Sequence, residues 1–85
     1  RPIFTIVNVK NLKYGKAFGE NLKKLRNAKK LSRETLGAMA GIEPKQIYLI
    51  EVKGQSPTVA TLVALALAMK FHPKKLLDFE FDFED

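Results

Sequence analysis

Cysteine is absent from this sequence, so it can build neither a disulfide framework nor a thiolate metal site, and a reducing cytoplasm is the expected compartment. Histidine is nearly as scarce: His72 is the only one. It stands directly before Pro73, where capping a short helix is a simpler expectation than catalysis or metal binding. Long apolar runs are missing too. The longest nearly apolar stretch, Val59 to Met69, has 11 residues and includes Thr61, whereas a membrane-spanning helix needs about 20. A membrane protein is therefore not expected. No Gly-rich phosphate loop, nucleophile elbow or pair of buried carboxylates stands out, and the acids of the C-terminal tail have no histidine or cysteine beside them to complete a metal site. Neither an enzyme nor a cofactor is expected. The chain opens on Arg1 and not on Met, so further upstream residues are expected.

What is present is an ordinary globular composition. The 85 residues are 46% hydrophobic and 28% charged, which suits one small domain and is far from the composition of a disordered chain. The net charge of +6 conceals a division. Five of the nine acids, Asp78, Glu80, Asp82, Glu84 and Asp85, lie in the last eight positions. Residues 1–77 set fifteen bases against Glu20, Glu34, Glu43 and Glu51, a net of +11. A basic body of this kind fits a polyanionic partner such as nucleic acid, although a lysine-rich solvated surface would look the same by charge alone.

Residues 1–10 are β-branched and read as a short strand or extended arm. After Tyr14 the period changes. Phe18, Leu22 and Leu25 recur at helical spacing, with Lys16, Glu20, Lys23 and Lys24 on other faces, so an amphipathic helix is expected over 15–30. Ser32 is suited to cap a second helix over 33–40, with Leu31 as a hydrophobic staple to Leu36. Gly41 ends that helix, and Pro44 at a first helical position opens a third, over 44–52. Ser56-Pro57-Thr58 introduces a fourth helix over 59–70. Its surface is apolar nearly all round, as expected of a helix in the middle of a core. Pro73 opens a fifth, over 73–78, and FEFDFE then alternates with the period of a strand.

The informative stretch runs from Arg33 to Val52. Two short helices joined by a glycine-containing turn form a helix-turn-helix, and their packing dictates residue types at fixed positions. Leu36, Ala40, Ile42, Ile47 and Ile50 are apolar where the seam between the helices must be. Gly37 is small where the helices approach, and Gly41 stands at the turn, where a left-handed backbone favours glycine.

On these residues the chain resembles the phage-repressor (Xre) family of helix-turn-helix DNA-binding domains. The resemblance rests on Phe18-Gly19, Leu22, Leu25-Arg26, Leu31-Ser32, Leu36, Ala40-Gly41-Ile42, Ile47, Ile50-Glu51, Pro57-Thr58 and Thr61-Leu62, and it covers about residues 15–78. It implies an all-α, compact, five-helix lambda-repressor-like domain, to which the residue pattern adds a candidate short strand at each terminus. The parts would be an arm over 1–14, the helix-turn-helix domain over 15–78 and an acidic, aromatic tail over 79–85. It also implies a third helix inserted into the major groove and a two-fold dimer on double-stranded DNA. Arg26 and Glu51 occupy positions that pair in the family, and a structural salt bridge is expected between them.

With Ile47 and Ile50 turned inward, a 100° advance per residue puts Lys45, Tyr48, Leu49 and Val52 outward, with Gln46 and Lys53 at the edges. Lys45 can reach a guanine edge or a phosphate, Gln46 can pair with adenine, and Tyr48 can bond a phosphate. Arg33 starts the second helix where the family usually carries a phosphate-gripping glutamine. The expected DNA-binding residues are thus Arg33, Lys45, Gln46, Tyr48, Leu49 and Lys53.

Four residues depart from the family pattern, one of them Lys53, which stands two residues after Glu51 where the family carries a glycine, with Gly54 one step late. Leu49 and Val52 can touch a thymine methyl but form no hydrogen bond to a base. Glu43 precedes the third helix, where an N-cap role is favoured over an outward charge that would repel phosphate. Sequence-specific transcriptional regulation is the leading expectation. The alternative is a protein-interaction module on the same fold, antitoxin-like or partner-binding, that docks a protein through Leu49 and Val52. A homodimer held partly by the terminal segments, which would bury Ile3, Phe4, Phe79, Phe81 and Phe83, is also expected.

Overall fold

The computed structural model describes residues 12–81. Four α-helices and one 3-10 turn follow one another: α1 (Leu12–Ala28), α2 (Arg33–Ala40), α3 (Pro44–Lys53), α4 (Val59–Ala68) and the 3-10 turn Pro73–Leu77. The fold is all-α. The expected fifth helix is this 3-10 turn, opened by Pro73 and capped at its start by His72, whose Nδ1 accepts the Lys74 N–H at 3.1 Å.

Local chemistry sets most of the boundaries. The Ser32 hydroxyl accepts the Thr35 N–H at 3.0 Å and starts α2, and Thr58 accepts the Thr61 N–H at 3.1 Å and starts α4. Gly41 ends α2 in the left-handed conformation, at φ 73° and ψ 33°. Lys30 and Lys70 take the same conformation at φ 57° and 62°. Each closes its helix with paired backbone bonds. Leu31 N–H reaches Arg26 and Lys30 N–H reaches Asn27; Phe71 N–H reaches Ala66 and Lys70 N–H reaches Leu67.

The core joins Phe18 and Leu22 of α1, Leu36 of α2, Ile47 and Ile50 of α3, Leu65 and Ala66 of α4, Met69, and Leu76 of the 3-10 turn. Helix α1 lies tightly against α3 because glycines face it. A Cβ at Gly19 would collide with the Ile50 carbonyl oxygen, and one at Gly15 with that of Gly54. The Asn21 amide donates to the carbonyls of Lys75 and Leu76 at 2.9 and 3.0 Å, tying the 3-10 turn to α1.

Three expectations require correction. Helix α1 begins at Leu12, inside the span read as an arm. Helix α4 does not sit in the middle of the core: Leu65 and Ala66 are buried, but Val59 is 79% and Leu67 62% exposed. Its apolar outer face is surface. At the C-terminal end, residues 79–81 form no strand. Phe79 packs on the core and the Phe81 ring lies 4.5 Å from that of Tyr14. The N-terminal strand expected over 1–10 and the remainder of the tail lie outside the described residues.

Candidate nucleic-acid interface

Helices α2 and α3 meet through Gly37, where a Cβ would strike the Ile42 carbonyl oxygen. That close approach and the turn at Gly41 fix the angle at which α3 leaves α2. Ile47 and Ile50 are fully buried, so the opposite side of α3 is turned to solvent. Lys45, Tyr48, Val52 and Lys53 are exposed there, and Gln46 and Leu49 are half-buried. The face thus carries two cations, a phenol and an amide beside the apolar Leu49 and Val52. Leu49 is turned further inward than an ideal 100° advance implies.

Behind this face lies an ionic cluster. The Glu51 carboxylate, with no side-chain exposure, receives one edge of the Arg26 guanidinium: Nε donates to Oε2 at 2.7 Å and Nη2 to Oε1 at 2.9 Å. Arg26 Nη1 donates to the Leu31 carbonyl at 2.8 Å, so one side chain braces the end of α1, the link to α2 and the end of α3. The hydrogen bonds that Arg26 donates to Glu51 raise its pKa above the ordinary value; burial opposes this, and the Glu51 and Glu34 charges add to it. Arg26 is therefore a fixed cation.

Arg33 joins the same cluster across a separation of 18 residues, with no local signal to announce the contact. Its Nε donates to Glu51 Oε1 at 3.0 Å, and its guanidinium carbon lies 5.3 Å from the centre of the Tyr48 ring. The first residue of α2 is thereby tied to two residues of α3. Its Nη1 and Nη2 make no hydrogen bond among the described residues.

Glu43 occupies the N-cap position of α3 and is exposed, but its carboxylate makes no capping bond. Its backbone carbonyl accepts from Gln46 and Ile47 instead. Gly54, one residue later than the family pattern places a glycine, ends α3 in the left-handed region at φ 75°. Among the described residues no group of three or more metal-ligating side chains occurs, and no helix is long and apolar enough to cross a membrane.

Comparison with known proteins agrees with this geometry. The family described as Helix-turn-helix matches residues 22–76. Among solved structures, the chain is similar to the restriction-modification controller protein C.AhdI from Aeromonas hydrophila, with a TM-score of 0.70 and 31% sequence identity, over 73% of this chain and 94% of that one. No curated protein matches the sequence.

Proposed function

The chain belongs to the helix-turn-helix family, of the phage-repressor type, and is a DNA-binding regulator; from that premise we propose how it engages DNA. Helix α3 enters the major groove. Lys45 and Gln46 reach base edges or phosphates, Tyr48 and Lys53 reach phosphates, and Leu49 with Val52 packs on thymine methyls. Arg33 contacts the backbone from the start of α2, where the helix N-terminus also favours an anion. The observation that carries this reading is the solvent-facing side of α3, which presents Lys45, Tyr48 and Lys53 opposite the fully buried Ile47 and Ile50. Arg26 and Glu51 hold the helices in place and do not touch DNA.

The protein works as a homodimer on a two-fold operator, in the cytoplasm. The apolar outer face of α4, with Val59 and Leu67, and Leu77 at 60% exposure, supports pairing with a second copy. The pairing of terminal segments expected from the sequence rests largely on residues 1–11 and 82–85, which lie outside the described residues.

The test is selection of binding sites from a random-sequence duplex pool, followed by anisotropy titrations over a range of salt. The selected site should be a pseudo-palindrome, with half-sites about one helical turn apart. If ~4–6 phosphates are neutralised per complex, log K should fall against log salt with a slope of about −4 to −5. A folded protein that binds no duplex even at low salt would overturn the proposal and make the α3 face a protein-docking surface.

A further inference from the structure

The cluster of Arg33, Tyr48 and Glu51 has a property that neither a salt bridge nor a surface arginine has alone. A free arginine on a surface samples many rotamers, and each DNA contact it makes must overcome that lost freedom. Arg33 is held from two sides before any ligand arrives. Glu51 Oε1 takes its Nε proton at 3.0 Å, and the Tyr48 ring lies 5.3 Å from its guanidinium carbon. Its side chain keeps 29% of its exposure, and the two η nitrogens make no hydrogen bond among the described residues. Those two nitrogens form one of the two edges through which a guanidinium can bind a phosphate bidentately, the other edge here being occupied at Nε by Glu51.

Charge accounting points the same way. Glu51 is already satisfied by Arg26 through two bonds, at 2.7 and 2.9 Å. A second guanidinium on one carboxylate leaves the cluster with a net charge of +1, and the surplus lies on the partly exposed member. Glu34, beside Arg33 on α2, is the other acid acting on the cluster, and it is exposed. A surplus cation with two open donors at the N-terminus of a helix fits a phosphodiester oxygen pair.

We propose that Glu51 and Tyr48 are positioning residues that hold Arg33 as a preformed phosphate clamp, so that the carboxylate anchoring the fold also aims a DNA contact. This rests on the DNA-binding reading above. Helix α3 then does two tasks with successive faces. Its outer side meets the groove, and its inner edge fixes the arginine that meets the backbone.

Two measurements test this. The first is a double-substitution cycle, read by anisotropy with a short labelled duplex of mixed sequence at several salt concentrations. Arg33→Ala should reduce the steepness of the salt dependence by about 0.9 per bound protomer. Measured against Tyr48→Phe, which keeps the ring and already lacks the phenol placed on a phosphate, Tyr48→Leu should weaken binding about two- to fivefold when Arg33 is present, the range expected of an exposed cation–ring contact. In the Arg33→Ala background it should do so by clearly less, because the ring then has no guanidinium to hold. Losses that simply multiply would show that the two side chains act separately, and would overturn the clamp. An unchanged slope in Arg33→Ala would reduce Arg33 to a counter-ion for Glu51, with the same consequence. If the unsubstituted chain bound no duplex, the DNA-binding reading would fail and the clamp with it. Binding by the unsubstituted chain with an unchanged slope in Arg33→Ala removes the clamp alone.

The second measurement needs no DNA. In the free, ¹⁵N-labelled chain the Arg33 Nε–H signal should persist at neutral pH, protected by Glu51. It should fade into solvent exchange in Tyr48→Leu and, if that variant folds, in Glu51→Gln. An Arg33 signal in the unsubstituted chain that exchanges like that of an exposed arginine would show that nothing is preformed.

Discussion

Replacing Arg26 with alanine leaves the fully buried Glu51 carboxylate with one of its three hydrogen bonds, the one from Arg33. It also removes the donor to the Leu31 carbonyl. Breaking a buried pair costs ~3–5 kcal/mol when the surviving charge is left alone. Arg33 still offsets part of that charge, so the expected loss is about 3 kcal/mol. Arg33→Ala is the informative contrast. Glu51 then keeps both bonds from Arg26, and the side chain removed was already 29% exposed and screened by solvent. About 1 kcal/mol or less is expected. A domain of this size has roughly 4–13 kcal/mol in total, so the first substitution removes a large share of the stability and the second a small one. Urea unfolding followed by circular dichroism at 222 nm measures both, with linear extrapolation to water. Equal losses, or a loss below about 1 kcal/mol for Arg26→Ala, would refute the assignment of Arg26 as the member that ties α1 to α3 and to the link before α2.

Lys30 adopts a left-handed backbone that disfavours a side chain by about 1–2 kcal/mol, partly offset by the greater freedom glycine has when unfolded. Lys30→Gly should therefore stabilise by about 0.5 kcal/mol, raising Tm by ~2–4 °C in a calorimetric scan; a lowered Tm would contradict it. Gly37→Ala drives a methyl group into the Ile42 carbonyl and should cost about 1–3 kcal/mol in the same urea assay, with DNA affinity falling as the α2–α3 angle shifts. Leu67→Asp, on the exposed face of α4, should leave the monomer fold intact by circular dichroism and shift sedimentation velocity from dimer to monomer. An unchanged sedimentation coefficient would place the dimer contact elsewhere.

Much of this architecture is legible in the sequence because its determinants are local. Ser32, Gly41, Pro44 and Thr58 each fix a helix end through their own backbone or through a neighbour two to four residues away, and α2, α3 and the start of α4 lie where those residues put them. Long-range packing explains where the reading missed. Nothing in residues 12–14 marks a helix start, yet α1 extends back to Leu12, and Gly15 packs there against the Gly54 backbone. The run Val59–Ala68 is apolar on every side, and composition alone does not separate a central helix from one whose outer face awaits a partner. Alternation in the tail suggested a strand, but Phe79 and Phe81 are taken up singly, one by the core and one by Tyr14.

The candidate site divides in the same way. Its outward residues follow from the 100° rotation once Ile47 and Ile50 are assigned to the core, although Leu49 is less exposed than that rotation implies. The pairing of Arg26 with Glu51 could be expected only through the family resemblance, since 25 residues separate them. The second guanidinium on Glu51 had no such guide. Arg33 at the start of a helix suggests a phosphate contact, and only the packing of α2 on α3 brings it to the carboxylate 18 residues away.

The central claim is that α3 and the start of α2 form the DNA-contacting face. An amide chemical-shift titration of the ¹⁵N-labelled chain with a short duplex at low salt addresses it most directly. The account predicts that the largest shifts fall at Arg33, Lys45, Gln46, Tyr48, Leu49, Val52 and Lys53, while Val59 and Leu67 on the outer face of α4 change little. Shifts concentrated on α4, or none at α3 while the duplex binds, would contradict it.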